Sequence, residues 1–193
     1  PNVQQILNAP LDESIPGFTL GKLQRPDRLM ELEFTFNMAG VAAPRLAEIF
    51  RAHGGPALDP NFPSRLGRLQ FQPRDGFMRG FIDLLFRHED RYYILDWKSN
   101  RLGPDDSAYT PERLQGVMTT EFYTLQYHVY TLALHLYLSQ RLPDYDFDWH
   151  IGGAFYIFTR GVESKTRGTV FDRPQRALVE ALADEFKIGP QSK

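Results

Sequence analysis

The stretch Gly80–Asn100, GFIDLLFRHEDRYYILDWKSN, decides the fold. Two runs rich in Phe, Ile, Leu and Tyr, Gly76–Arg87 and Arg91–Lys98, flank a very short polar turn, His88-Glu89-Asp90-Arg91. Apolar runs of this length bounded by turn residues read as strands, and so tight a connection makes them a hairpin. With Glu89-Asp90 as a two-residue loop, His88 pairs with Arg91. Each step outward pairs the next two residues, until Asp83 faces Asp96. Hydrogen-bonded and non-hydrogen-bonded pairs alternate from the closing pair, and Asp83/Asp96 falls on a non-hydrogen-bonded one. Their Cβ atoms are then expected about 5 Å apart on one face. Lys98, two residues beyond Asp96, points to the same face.

Two ionised carboxylates about 5 Å apart repel by roughly 3 kcal/mol at an effective dielectric near 20. Ile82, Leu84, Leu95 and Trp97 around them are apolar, so the pair is expected in a strand core. Lys98 offsets part of the repulsion, and a divalent cation would offset all of it. A self-contained Asp–Lys–Asp salt-bridge cluster is the alternative.

Outward from the hairpin, the segment through Asn8 reads as the end of a helix stopped by Pro10. Met30, Leu32, Phe34 and Phe36 alternate with Glu31, Glu33 and Thr35, the pattern of a half-buried strand. Pro44–His53 reads as a short helix ended by Gly54-Gly55, and Pro56–Pro63 as a proline-rich loop. Leu66–Gln72 is expected to be extended, and Asn100–Pro111 to be a loop. Helical periodicity runs from Glu112 to Leu142, with a break expected near Gly116. Ile151–Thr159 reads as a buried strand and Pro174–Lys187 as an amphipathic helix. Strands, a long helix, another strand and a helix give an α/β fold, a mixed β-sheet flanked by helices.

The composition sets bounds on function. The chain has 193 residues, 42% hydrophobic and 24% charged, with a net charge of −2. That suits one ordinary globular domain and excludes a histone-like, charge-dominated nucleic-acid binder. No cysteine is present, which removes disulfide scaffolds, thiolate zinc sites and Cys nucleophiles, and fits a reducing compartment. The longest apolar stretch, Tyr130–Leu138, is interrupted by Thr131 and His135, so no membrane span is expected. No signal peptide is visible, and the expected location is the cytoplasm. Gly152-Gly153 fits neither GxGxxG nor a P-loop, so no ATP site is expected. The five histidines show no metal-ligand spacing, and His128 and His135 read as helix-face residues.

Asp83, then Asp96-Trp97-Lys98, together with LQYHVYTLALHLYL at 125–138, resemble the D…(D/E)-x-K core and downstream helix of RecB-type nuclease domains in the PD-(D/E)XK superfamily. The similarity is dense from about Gly80 to Gly161 and weaker on both sides. It implies a restriction-endonuclease-like fold and a Mg²⁺-dependent DNA exonuclease of the exonuclease V type, with Mn²⁺ or Ca²⁺ able to occupy the same site. Asp83, Asp96 and the backbone carbonyl of Trp97 would bind the metal, and Lys98 would position or activate the attacking water. Such a donor set suits Mg²⁺, which prefers oxygen ligands and retains several waters. Gln126 and Tyr130, spaced i, i+4, match the family's Gln-x-x-x-Tyr motif, which lines the site. Without the family they are ordinary residues of a helix face.

Glu31 is expected near the metal, outside its direct ligands, although Glu33 shares its face. Arg65, Arg68, Arg74 and Arg79 are candidates for DNA-phosphate contacts or a solvated surface. Asp144, Asp146 and Asp148 are expected simply to be solvated. The resemblance further implies RecC and RecD as partner subunits and helicase motors upstream in the same polypeptide, in double-strand-break processing. Family members place a metal-binding histidine on an early helix. No histidine precedes His53 here, so the chain is expected to lack that segment and, alone, to bind Mg²⁺ weakly and cut poorly. A non-catalytic DNA-docking module and a stand-alone restriction-type endonuclease are the alternatives. Retention of Asp83, Asp96 and Lys98 opposes the first, and the Gln-x-x-x-Tyr helix opposes the second.

Overall fold

Glu89 and Asp90 both adopt positive φ, +49° and +61°, so the hairpin closes through a two-residue type I′ turn whose twist matches that of the strands. It joins β2 (Phe77–His88) to β3 (Arg91–Lys98), and the register runs from His88/Arg91 through Leu84/Leu95. The computed structural model describes residues 3–37, 41–69, 77–162 and 168–186. Among these, β1 (Arg28–Asn37) pairs antiparallel with β2. β4 (Ile151–Phe158) pairs parallel with β3, and β5 (Thr169–Asp172) antiparallel with β4. The five strands lie in sequence order across one mixed sheet.

A parallel neighbour requires a crossover, here carried by α4 (Pro111–Thr120), α5 (Tyr123–Ser139) and the single turn α6 (Phe147–His150). Strand β4 is buried along its whole length, as expected where both sheet faces are covered. One face packs against α5, α2 (Ala43–His53), α3 (Phe62–Leu66) and α7 (Arg176–Glu185), around Phe50, Ile94, Leu134 and Leu178. The opposite face is closed by the chain after α1 (Val3–Asn8). There Leu11, Ile15, Phe18 and Leu20 meet Leu84, Phe86, Leu95 and Phe155.

Several local expectations change. Leu66 ends α3 instead of opening a strand, because Phe62 and Leu66 are both fully buried on one helical face; residues 70–76 lie outside those described. The long helical region breaks at Phe122, not Gly116. Gly116 sits inside α4 with open space beside it, whereas Phe122 adopts φ +57° and turns the chain into α5. Met30 leaves the apolar stripe of β1 and is 56% exposed, for a reason visible at the site below. Strand β5 was not anticipated, since four half-buried residues carry too little periodicity. Asp146 accepts a hydrogen bond from the Trp149 amide as the cap of α6, so this acidic residue has a structural role.

His128 lies on the core side of α5, fully buried between Phe50 and Tyr127, with Nδ1 at 2.7 Å from the Thr124 carbonyl. Burial pushes its pKa from 6.5 down to about 4. The unfolded chain therefore takes up a proton below pH 6.5 that the folded chain refuses until about pH 4. Stability from this group is complete above pH 6.5 and falls across that window, by about 2 kcal/mol at pH 5. Unfolding free energies from urea titrations at pH 7 and pH 5 should differ more for the wild type than for His128→Phe, by that amount. Equal pH slopes would remove His128 as the cause.

Candidate active site

The β2–β3 ladder stops at Leu84/Leu95, one pair short of the aspartates. Beyond it β3 stays with β4, pairing Asp96 with Tyr156 and Lys98 with Phe158, while β2 stays with β1. The strands splay, and the expected direct Asp83/Asp96 pairing is replaced by a side-chain link. The Trp97 amide, which a continued ladder would give to Ile82, donates to Asp83 Oδ2 at 2.9 Å. In an extended strand a residue's N–H and C=O point to the same side, so the Trp97 carbonyl is also directed toward Asp83.

The alternation of β2 changes here. Ile82 and Leu85 belong to one core, Leu84 and Phe86 to the other, so the pleat is interrupted at Asp83. Its neighbour in β1 is irregular too. Glu31 lies between the pairs Met30/Leu84 and Leu32/Ile82, at the register position of Asp83, with φ +53°. A non-glycine residue rarely adopts that conformation, and such kinks re-aim side chains. This turns Met30 outward. Glu31 itself is exposed, and Glu33 is paired with Arg79 on the surface.

Asp96 is 3% exposed, and its Oδ2 is 2.7 Å from Lys98 Nζ. Burial pushes its carboxyl above the usual carboxylate range. The Lys98 hydrogen bond and charge oppose that shift, and Asp83 adds to it. Lys98 also donates to Gln126 Oε1 at 2.9 Å. The same oxygen accepts from the Tyr156 hydroxyl at 3.0 Å, while Gln126 Nε2 donates to the Tyr130 hydroxyl at 2.7 Å. Two donors on one end fix the amide's orientation. Burial, with the Asp96 charge adding, pushes Tyr130 up to about 12, so it remains a neutral hydroxyl. Gly80 leaves room for the Phe34 ring, which packs edge-on to Tyr130 at 5.5 Å; a Cβ at Gly80 would lie 2.3 Å from that ring.

These contacts bring Asp83, Asp96, Lys98, Gln126 and Tyr130 into one connected group. The sequence reading missed Tyr123 and Tyr156. Tyr123 lies three residues before Gln126, so helical periodicity could have found it. Tyr156 is placed beside Asp96 by the parallel pairing of two strands distant in sequence, which leaves no local signal. Of the arginines, Arg65 donates to the Thr120 carbonyl and lies over Phe122, Arg79 pairs with Glu33, and Arg74 lies outside the described residues.

Among the described residues, no three His, Asp or Glu side chains converge on one point. What the group offers is an all-oxygen donor set of two carboxylates and one carbonyl. The raised Asp96 pKa shows that Lys98 leaves the buried negative charge incompletely compensated. Both features fit a hard divalent cation. No helix of the described residues is long and apolar enough to cross a membrane.

Residues 8–188 match the PD-(D/E)XK nuclease superfamily. The chain is similar to the RecBCD enzyme subunit RecB of Escherichia coli K12, 40% identical over 190 residues, which is 97% of this chain and 15% of that protein. It is also similar to the RecB subunits of Haemophilus influenzae (37% identical, 95% of this chain, 15% of the relative) and Mycolicibacterium smegmatis (37%, 91% and 18%). The chain thus spans less than a fifth of the length of these relatives. A match over nearly all of its residues, on a five-stranded mixed sheet, makes the chain a member of the PD-(D/E)XK nuclease superfamily.

Proposed function

We propose that the chain is a single RecB-like nuclease domain that hydrolyses DNA phosphodiester bonds with Mg²⁺. The observation that carries this is the splayed β2–β3 end, where two carboxylates and a lysine ammonium meet in a largely dry site. Asp83, Asp96 and the Trp97 carbonyl would hold the ion. When bound, the ion supplies Lewis acidity toward a phosphate oxygen and lowers the pKa of a coordinated water. Lys98 presents its ammonium to the same place, where it stabilises negative charge and orients the attacking water. Gln126 holds that ammonium through Oε1, and Tyr130 holds Gln126. Glu31 borders the site without an assigned ligand role.

Similarity to RecB extends the proposal to an exonuclease within a RecBCD-type assembly. In it RecC and RecD are partners, helicase domains share the polypeptide, and the work is break repair and recombination in the cytoplasm. Incubation with linear and covalently closed circular DNA tests the activity. Degradation of the linear form with millimolar Mg²⁺, its loss in chelator and survival of the circles are expected. Cleavage in chelator, or equal attack on circles, would refute a metal-dependent exonuclease.

A further inference from the structure

The Tyr123 ring centroid lies 3.9 Å from Lys98 Nζ, closer than the Tyr156 ring at 5.0 Å. An ammonium has three N–H groups, and two of those on Lys98 are taken by Asp96 and Gln126. The face of an aromatic ring attracts a cation held this close, most strongly when water is excluded. The contact is also built into the backbone. Phe122, immediately before Tyr123, adopts φ +57°, a conformation that a bulky residue keeps only when its surroundings hold it. The Phe122 ring packs on Phe62, and Arg65 spans from over that ring to the Thr120 carbonyl. At its far end the Tyr123 hydroxyl donates to Asn100 Oδ1, and the Asn100 carbonyl accepts from Tyr109. Tyr123 therefore grips both the ammonium of Lys98 and the loop that follows it.

From this geometry we propose that Tyr123 is a positioning residue for Lys98, its ring holding the ammonium in place independently of Asp96. The need follows from the site's own arithmetic and rests on the nuclease reading. A divalent cation on the Asp96 carboxylate would take up its negative charge and repel the ammonium, weakening the Asp96–Lys98 pair and leaving Gln126 and the Tyr123 ring to keep Nζ aimed. The ring supplies attraction without competing for the third N–H as a fixed acceptor would, which leaves it for water or phosphate.

Two variants separate ring from hydroxyl. Tyr123→Phe keeps the ring and loses the bond to Asn100, whereas Tyr123→Leu keeps apolar bulk and loses the ring. In the metal-free chain with labelled lysines, the Lys98 ε-CH₂ resonance, assigned by its disappearance in Lys98→Arg, should be shifted upfield by the ring in wild type and Tyr123→Phe. It should move most of the way toward the ordinary lysine position in Tyr123→Leu, where only the more distant Tyr156 ring remains. In the Mg²⁺ assay Tyr123→Leu should lose about tenfold in kcat with KM for DNA little changed, and Tyr123→Phe should stay within about threefold of wild type. An unshifted Lys98 resonance in the wild type overturns the proposal, as does equal damage by the two variants or a wild-type kcat in a folded Tyr123→Leu. A wild-type chain that cuts no DNA would instead refute the nuclease reading, and the lysine resonance would still decide the contact.

Discussion

Lys98→Ala should reduce DNA cleavage by about two orders of magnitude or more while leaving metal-dependent DNA binding largely intact. The ammonium sits where charge would build on the phosphate, held by Asp96, Gln126 and the Tyr123 face. Its removal subtracts a stabilisation made in the transition state, which lowers kcat more than affinity. It also leaves Asp96 buried without its counter-charge, so part of any loss could be structural. Lys98→Met keeps the apolar stem, and adding Mg²⁺ restores positive charge beside Asp96. Cleavage by either variant near the wild-type rate, measured on linear DNA, would leave Lys98 with only a structural role.

Asp96→Asn should separate stability from function in the opposite sense. Burial is the main influence on this carboxyl and disfavours its charged form, with the nearby Asp83 charge adding to the cost. A neutral amide of the same shape removes both penalties and still offers Lys98 an acceptor. The metal-free variant should therefore melt no lower than wild type, and a gain of 1 kcal/mol would raise Tm by about 3 °C. The same change removes one anionic oxygen donor. Calorimetric titration should show Mg²⁺ affinity reduced at least about tenfold, and cleavage should fall by about three orders of magnitude. A melting temperature several degrees lower would mean that the Asp96–Lys98 pair stabilises the fold, and retained cleavage would remove Asp96 from the metal.

Much of this was open to inspection in the chain itself, for reasons that differ along it. The hairpin was legible because a two-residue turn sets register by counting, and β3 has the bounds read from its apolar run. Helix α2 was legible from Pro44, the Gly54-Gly55 stop and an apolar face that buries Leu46, Ile49 and Phe50. Helix α3 was hidden, since its five residues have almost no period and are helical because Phe62 packs against Phe50. The break at Phe122 was hidden too. An aromatic residue gives no local sign of a left-handed conformation, and Gly116, which does give one, sits in an unbroken helix.

By itself the sequence set the residues of the candidate site and their order: an aspartate thirteen residues before the first residue of the Asp-Trp-Lys triplet, and a Gln and a Tyr one helical turn apart downstream. It also set the chain's mixed α/β character, because turn chemistry and side-chain periodicity are properties of near neighbours. The tertiary structure decided how those residues meet. Strands β2 and β3 part after Leu84/Leu95, beyond which β2 stays paired with β1 and β3 with β4. The kinks at Glu31 and Asp83 re-aim the carboxylate, and the α4–α5 turn seats Tyr123 against Lys98. Each of these depends on contacts between segments far apart in sequence, whose formation is governed by shared burial and not by any local pattern.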